Sequence, residues 1–121
     1  MFISVDLESE IPIYQQVKNQ IIEGIASGKL KPGDALPSVR SLASDLGINM
    51  HTISKVYQLL KQEGFILIHR KKGVVINPEG FPSADEAYVE GLSQQLRPLI
   101  SEAICRGMTE GEFLKEVKEI F

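Results

Sequence analysis

The sequence predicts a mainly α chain with one small β-hairpin. Three observations carry that prediction. Three helical patterns with apolar stripes fill the first half. Two short β-rich runs then flank the basic stretch "HRKKG" at residues 69–73. Two further helical patterns follow a Pro- and Gly-containing stretch, "NPEGFP" at residues 77–82, which reads as a linker. A chain of 121 residues is one domain, or one small domain with an appendage, and it can bury a single modest core.

The first helix lies in "PIYQQVKNQIIEGIASGKL". Tyr14, Val17, Ile21, Ile22 and Ile25 fall on one stripe, Pro12 suits the first turn and Gly28 the stop. "KLKPGDALP" carries a Pro32-Gly33 turn signal. In "PSVRSLASDLG", Ser38 is a good N-cap, Val39, Leu42, Ala43 and Leu46 form a short inner face, and Gly47 suits the left-handed position that ends a helix. Ile48 is expected to plug the core in the turn. Asn49 caps a third helix whose inner face is Ile53, Val56, Tyr57 and Leu60, and Gly64 closes it. The runs Phe65–Ile68 and Val74–Ile76 make a hairpin whose loop carries Arg70, Lys71 and Lys72, with Gly73 able to take a positive φ. Beyond the linker, Ser83 with Glu86 and Thr109 with Glu112 read as capping boxes of two more helices. Pro98 is expected to kink the first of these.

A short helix, a tight glycine turn and a second helix make a helix-turn-helix, and the basic hairpin after it is placed as a wing. The second helix of such a motif lies in the DNA major groove with its first turns against base edges. Here Asn49, Met50, His51, Thr52 and Lys55 cluster in those turns. His51, Lys55, Gln58 and Gln62 form a polar stripe opposite the apolar one. Lysine reads guanine, a threonine methyl touches thymine, and free N–H groups at a helix start favour phosphate. Taken singly, these residues equally fit a solvated face on a three-helix core. The turn and the basic wing in succession favour DNA.

Charge supports a local rather than a global basic surface. Net charge is −3 over the whole chain, yet residues 38–78 hold 6 Lys+Arg against 2 Asp+Glu. Residues 79–121 hold 4 against 9.

"PIYQQVKNQIIEGIASGKLKPGDALPSVRSLASDLGINMHTISKVYQLLKQEGFI" closely resembles the DNA-binding domain of GntR-type bacterial transcription regulators. The likeness covers residues 11–77, with "G.LKPGD.LPS.R.LA..LG" and "T…..Y..L..EG.I" its most specific parts. The resemblance implies a winged helix-turn-helix over residues 1–78 and a dimer on a palindromic operator of double-stranded DNA. It implies phosphate contact at Ser38, base contact at Arg40, recognition-helix contacts at Thr52 and Lys55, and wing contacts at Arg70 and Gly73. Lys71 joins the wing as a phosphate contact. An ion pair to Asp45 or Asp34 is the alternative for Arg40, and pure capping the alternative for Ser38. Met50 and His51 depart from the residues common at their positions, so the operator sequence stays open.

Residues 79–121 are too few for the large effector domains of many such regulators. Two short helices resemble the YtrA-like subgroup, whose tail is a dimerisation element. The pattern agrees: Val89, Leu92, Leu96, Leu99, Ile100 and Ile104 on one helix, and Phe113, Leu114, Val117 and Phe121 on the other, form an apolar side that an αα-hairpin cannot bury alone. Pairing with a second copy would cover it; folding back on the winged helix is the alternative. A small-molecule effector is left open, since the resemblance implies effectors in general and no convergent polar set marks a pocket.

Catalytic and metal chemistry find no support. His51 and His69 are the two histidines, neither at ligand spacing to a second such residue, and there is no CxxC, nucleophile elbow or HExxH. No cofactor, no metal and no enzyme activity are expected. Cys105 stands alone and reads as a small apolar residue. With no signal-peptide pattern and no long apolar run, a cytoplasmic location away from membranes is expected. The expected function is therefore sequence-specific, repressor-type transcription regulation by a homodimer. The alternative is a non-catalytic winged-helix module that binds protein.

Overall fold

The computed structural model describes residues 3–121. The elements run α1 (Ile13–Ala26), β1 (Ala35–Leu36), α2 (Val39–Leu46), α3 (Met50–Gln62), β2 (Ile66–His69), β3 (Gly73–Ile76), α4 (Glu86–Cys105) and α5 (Glu110–Ile120). They fall into two compact units, Met1–Pro82 and Ser83–Phe121.

In the first unit α3 is central. It packs on α1, on α2 and on β2. Its inner residues Ile53, Val56, Tyr57 and Leu60 meet Val17 and Ile21 of α1, Leu42 and Ala43 of α2, and Ile66 and Ile76 of the sheet in one buried cluster. Burying each such aliphatic side chain stabilises the fold by about 1.5–3 kcal/mol. Ile48 packs at the edge of this core, as its position in the turn predicts.

The sheet has three strands in the order β1-β3-β2, all antiparallel. The hairpin β2–β3 matches the sequence reading, with Gly73 at φ +75° opposite His69. The third strand was not readable from sequence. Ala35 and Leu36 pair with Val75 and Val74, and the turn before them adds bonds between Gly33 N–H and the Ile76 carbonyl and between Ile76 N–H and the Asp34 carbonyl. A two-residue strand has no periodicity to detect.

Residues 3–12 are fastened along α1 by two glutamines one turn apart. The Gln16 amide donates to the Asp6 and Ile11 carbonyls at 2.9 and 2.7 Å and accepts from Asp6 N–H. Gln20 makes the same exchange with Ser4. Ile3 is buried at the end of this arm.

Two sequence expectations are corrected. The stretch 77–82 is not a free linker, and the first unit ends at Pro82, four residues past the expected boundary at 78. Phe81 stacks on Phe65 with ring centroids 5.6 Å apart, and the Asn77 side chain donates to the Gly64 carbonyl. Ser83 and Glu86 form no capping box. Asp85 caps α4 instead, accepting from Tyr88 N–H at 2.8 Å, because the helix starts two residues later than a Ser83 cap requires.

The second unit is two helices joined through Arg106–Thr109. The Thr109–Glu112 capping box is present, and these bonds from Thr109 hold the Glu112 carboxyl below its ordinary range. Pro98 lies inside α4 and leaves the Gln94 carbonyl without its helical N–H partner. Neither helix contains a buried residue, and the two do not pack broadly along each other. Val89, Leu92, Leu99, Ile100, Ile104, Leu114 and Phe121 are exposed within the chain, while Leu96, Phe113 and Val117 are partly covered.

One polar bond crosses the core. Tyr57 Oη donates to the Pro37 carbonyl at 2.7 Å, and burial pushes the phenol above its usual range. Tyr57→Phe should cost about 0.5–1.5 kcal/mol in urea unfolding. The folded state holds this proton more tightly than the unfolded one. Its contribution is therefore complete below about pH 10 and lost as pH rises beyond that. Tyr57→Phe should flatten that alkaline loss; identical pH profiles for the two proteins would refute the assignment.

Candidate nucleic-acid interface

The surface that sequence reasoning assigned to DNA is built from three places in the first unit: the start of α2, the start of α3 and the β2–β3 loop.

At α2, Ser38 adopts extended backbone and its Oγ accepts from Ser41 N–H at 3.1 Å. Arg40 follows in the first turn and is exposed. The Tyr57–Pro37 bond ties the residue before Ser38 to the body of α3, so the two helix starts are fixed to one core.

At the turn, Gly47 takes φ +67°, a left-handed conformation that would strain a side chain. Ile48 N–H then reaches back to the Ala43 carbonyl at 3.0 Å, which satisfies the end of α2. Asn49 starts α3 at once, its Oδ1 accepting from His51 N–H at 2.7 Å. A helix is thus stopped and restarted within three residues because both ends are capped locally.

On α3, Met50, His51, Lys55, Gln58 and Gln62 are exposed, while Thr52 is partly covered. Met50 is 44% exposed despite being apolar, in the first turn of the helix. Lys55 Nζ lies 3.9 Å from the centroid of the Tyr14 ring on α1. Sequence reasoning took Tyr14 as core alone, and helical spacing within one element gives no signal for a contact between two.

At the wing, Arg70, Lys71 and Lys72 are all exposed, and Gly73 turns the chain back into β3. Arg40, Lys55, Arg70 and Lys71 form no ion pair among the described residues, so the Asp34 and Asp45 alternatives for Arg40 are not realised. Asp34 instead accepts from Lys31 N–H within its own turn. No group of three His, Cys, Asp or Glu among the described residues could hold a metal ion. No described helix is long and apolar enough to cross a membrane.

Residues 13–76 match the family described as "Bacterial regulatory proteins, gntR family". The chain belongs to the GntR family. It is a transcription regulator and not an enzyme. The HTH-type transcriptional repressor YtrA of Bacillus subtilis (strain 168) is 36% identical over 118 residues, covering 98% of this chain and 91% of that protein. YtrA from Sulfolobus acidocaldarius, described as a GntR-family transcription factor, is 43% identical with a TM-score of 0.60, over 98% of this chain and 95% of that one. These two likenesses run through the tail and place the chain in the YtrA-like subgroup. The DNA-binding domain of AraR in complex with operator ORX1 is 26% identical with a TM-score of 0.56, covering 63% of this chain and 98% of that one.

The caps separate two roles of Ser38. Ser38→Ala should lower stability by about 1 kcal/mol. Ser38→Asp keeps a capping oxygen and should change stability by only a few tenths of a kcal/mol, roughly. If Ser38 also faces phosphate, the added negative charge should weaken DNA binding while the melting temperature holds. Undiminished binding by Ser38→Asp would leave capping as its sole role.

Proposed function

We propose that this chain is a homodimeric repressor that occupies promoter DNA at a palindromic operator. The observation that carries this reading is the start of α3. It is capped and solvent-facing, and Arg40 of α2 and Arg70 and Lys71 of the wing form no ion pair among the described residues. A module that used this face for protein binding would not need an Arg-Lys-Lys wing. The AraR operator complex, formed by a domain of similar fold, supports the same direction.

The roles follow from the chemistry. Arg40, Thr52 and Lys55 read bases at the operator core, with Met50 and His51 setting what is particular to this operator. Ser38, Arg70 and Lys71 hold phosphates, Gly73 lets the wing tip turn close to the backbone, and Asn49 presents the helix start. Arginine offers a bidentate fork to guanine, and lysine neutralises phosphate as a point charge.

The tail is proposed as the dimer element, over residues 83–121. Ile104 is 65% exposed and Leu99 61% within one chain, both on α4, a helix with no buried residue. A second copy placed by two-fold symmetry covers such a side and sets the spacing of two reading helices. Repression by occupancy requires no effector. A cytoplasmic site of action follows from the DNA target.

The decisive experiment is selection of bound duplexes from a random pool at near-physiological salt. A palindrome is expected, and recovery of no motif would overturn the reading. On the recovered site Arg40→Ala should lose about 1–3 kcal/mol, and far less on random DNA. Lys71→Ala should weaken all sequences alike and flatten the salt dependence by roughly one phosphate contact. Paired changes Leu99→Glu and Ile104→Glu should give a folded monomer by sedimentation that has lost tight binding to the palindrome. A dimer that survives them would place the interface elsewhere.

A further inference from the structure

The Lys55 ammonium is held before any DNA arrives. It sits over the ring of Tyr14, 3.9 Å from the centroid, well inside the range at which a cation is attracted to an aromatic face. Tyr14 itself is partly buried and packed against the core of the first unit, so the ring is a fixed platform. No carboxylate pairs with Lys55 among the described residues.

We propose that Tyr14 is a positioning residue of the DNA-reading surface, its ring pre-ordering Lys55 for base contact. The proposal rests on the reading of Lys55 as a DNA contact. A lysine has a long, mobile stem, and ordering it on binding costs affinity. A stem already restrained loses less. The choice of an aromatic ring also matters. A carboxylate at this place would restrain the ammonium but neutralise it, and that ion pair would have to break. The ring face holds the charge without cancelling it, and the ammonium keeps donors free for DNA. Helix α1, assigned only to the core, thus contributes a residue to the reading surface.

The test uses the full chain, the selected cognate duplex and a random duplex of equal length. The variants are Tyr14→Leu, Tyr14→Phe, Lys55→Gln and the double Tyr14→Leu/Lys55→Gln. Tyr14→Leu should weaken cognate binding by about two- to five-fold, the scale of an exposed cation–π contact. Tyr14→Phe, which keeps the ring, should bind as the unmutated chain does. In the Lys55→Gln background, Tyr14→Leu should add nothing. Tighter binding by Tyr14→Leu would make the ring a restraint and overturn the proposal. An equal loss with and without Lys55 would overturn it too, by reducing Tyr14 to a core residue. Lys55→Gln binding as well as the unmutated chain would instead sink the underlying reading of Lys55. NMR of the unmutated chain gives a readout that does not depend on Tyr14→Leu folding. Ring-current upfield shifts of the Lys55 side-chain methylenes are expected, and unshifted resonances would overturn the proposal.

Discussion

The first unit depends on one helix being buried along one side and solvent-facing along the other. Ile53, Val56, Tyr57 and Leu60 of α3 are closed off from solvent, and α1, α2 and β2 all pack on this helix. Close packing makes such a face intolerant of displacement. The outer side of the same helix therefore inherits a defined orientation. A surface built this way carries its polar residues on a regular element, so their spacing is set by helical geometry and not by loop conformation. The Tyr57–Pro37 bond extends this constraint to the start of α2. The starts of α2 and α3 are then fixed relative to one another.

Most of this was legible in the sequence because the signals are local. Ser38, Gly47 and Asn49 announce their roles through residue type, since few side chains cap a helix and few backbones turn left-handed. The apolar stripe of α3 and the hairpin around "HRKKG" follow from periodicity alone. The readings that failed or were missing involve partners distant in sequence. β1 exists only because β3 lies beside it. Phe81 looked like linker because its stacking on Phe65 is a tertiary event. Ser83 lost the cap of α4 to Asp85, a competitor of similar capping strength two residues on. The Tyr14–Lys55 contact joins two helices, and no pattern along either one contains it. The exposed residues proposed to meet DNA could be named from the sequence, but the Tyr14–Lys55 and Tyr57–Pro37 contacts beneath them could not.

The two units divide the physical tasks. The stretch from Ser38 to the wing concentrates positive charge, while residues 79–121 are acidic. An acidic tail is repelled by the phosphate backbone, which discourages that unit from competing for DNA. Its apolar residues are meanwhile unsatisfied within one chain, and it has no core of its own. The first unit has a buried core, whereas neither helix of the second contains a buried residue. If the tail is the proposed dimer element, protein concentration sets its state before it sets the occupancy of DNA.

The short strand β1 has a consequence for how the molecule is made. Ala35 pairs with Val75, so the whole helix-turn-helix lies within a loop closed by that pairing. Ile76, which completes the core, also bonds back to the turn before β1. During synthesis α2 and α3 emerge before the strand that seals them. Closure of so long a loop costs chain entropy that only the finished sheet repays. The wing thus arrives after both helices it seals, and only residues 77–82 of the unit follow it. A ribosome stalled before residue 76 would display an α3 that is present in sequence yet lacks the strand that seals it.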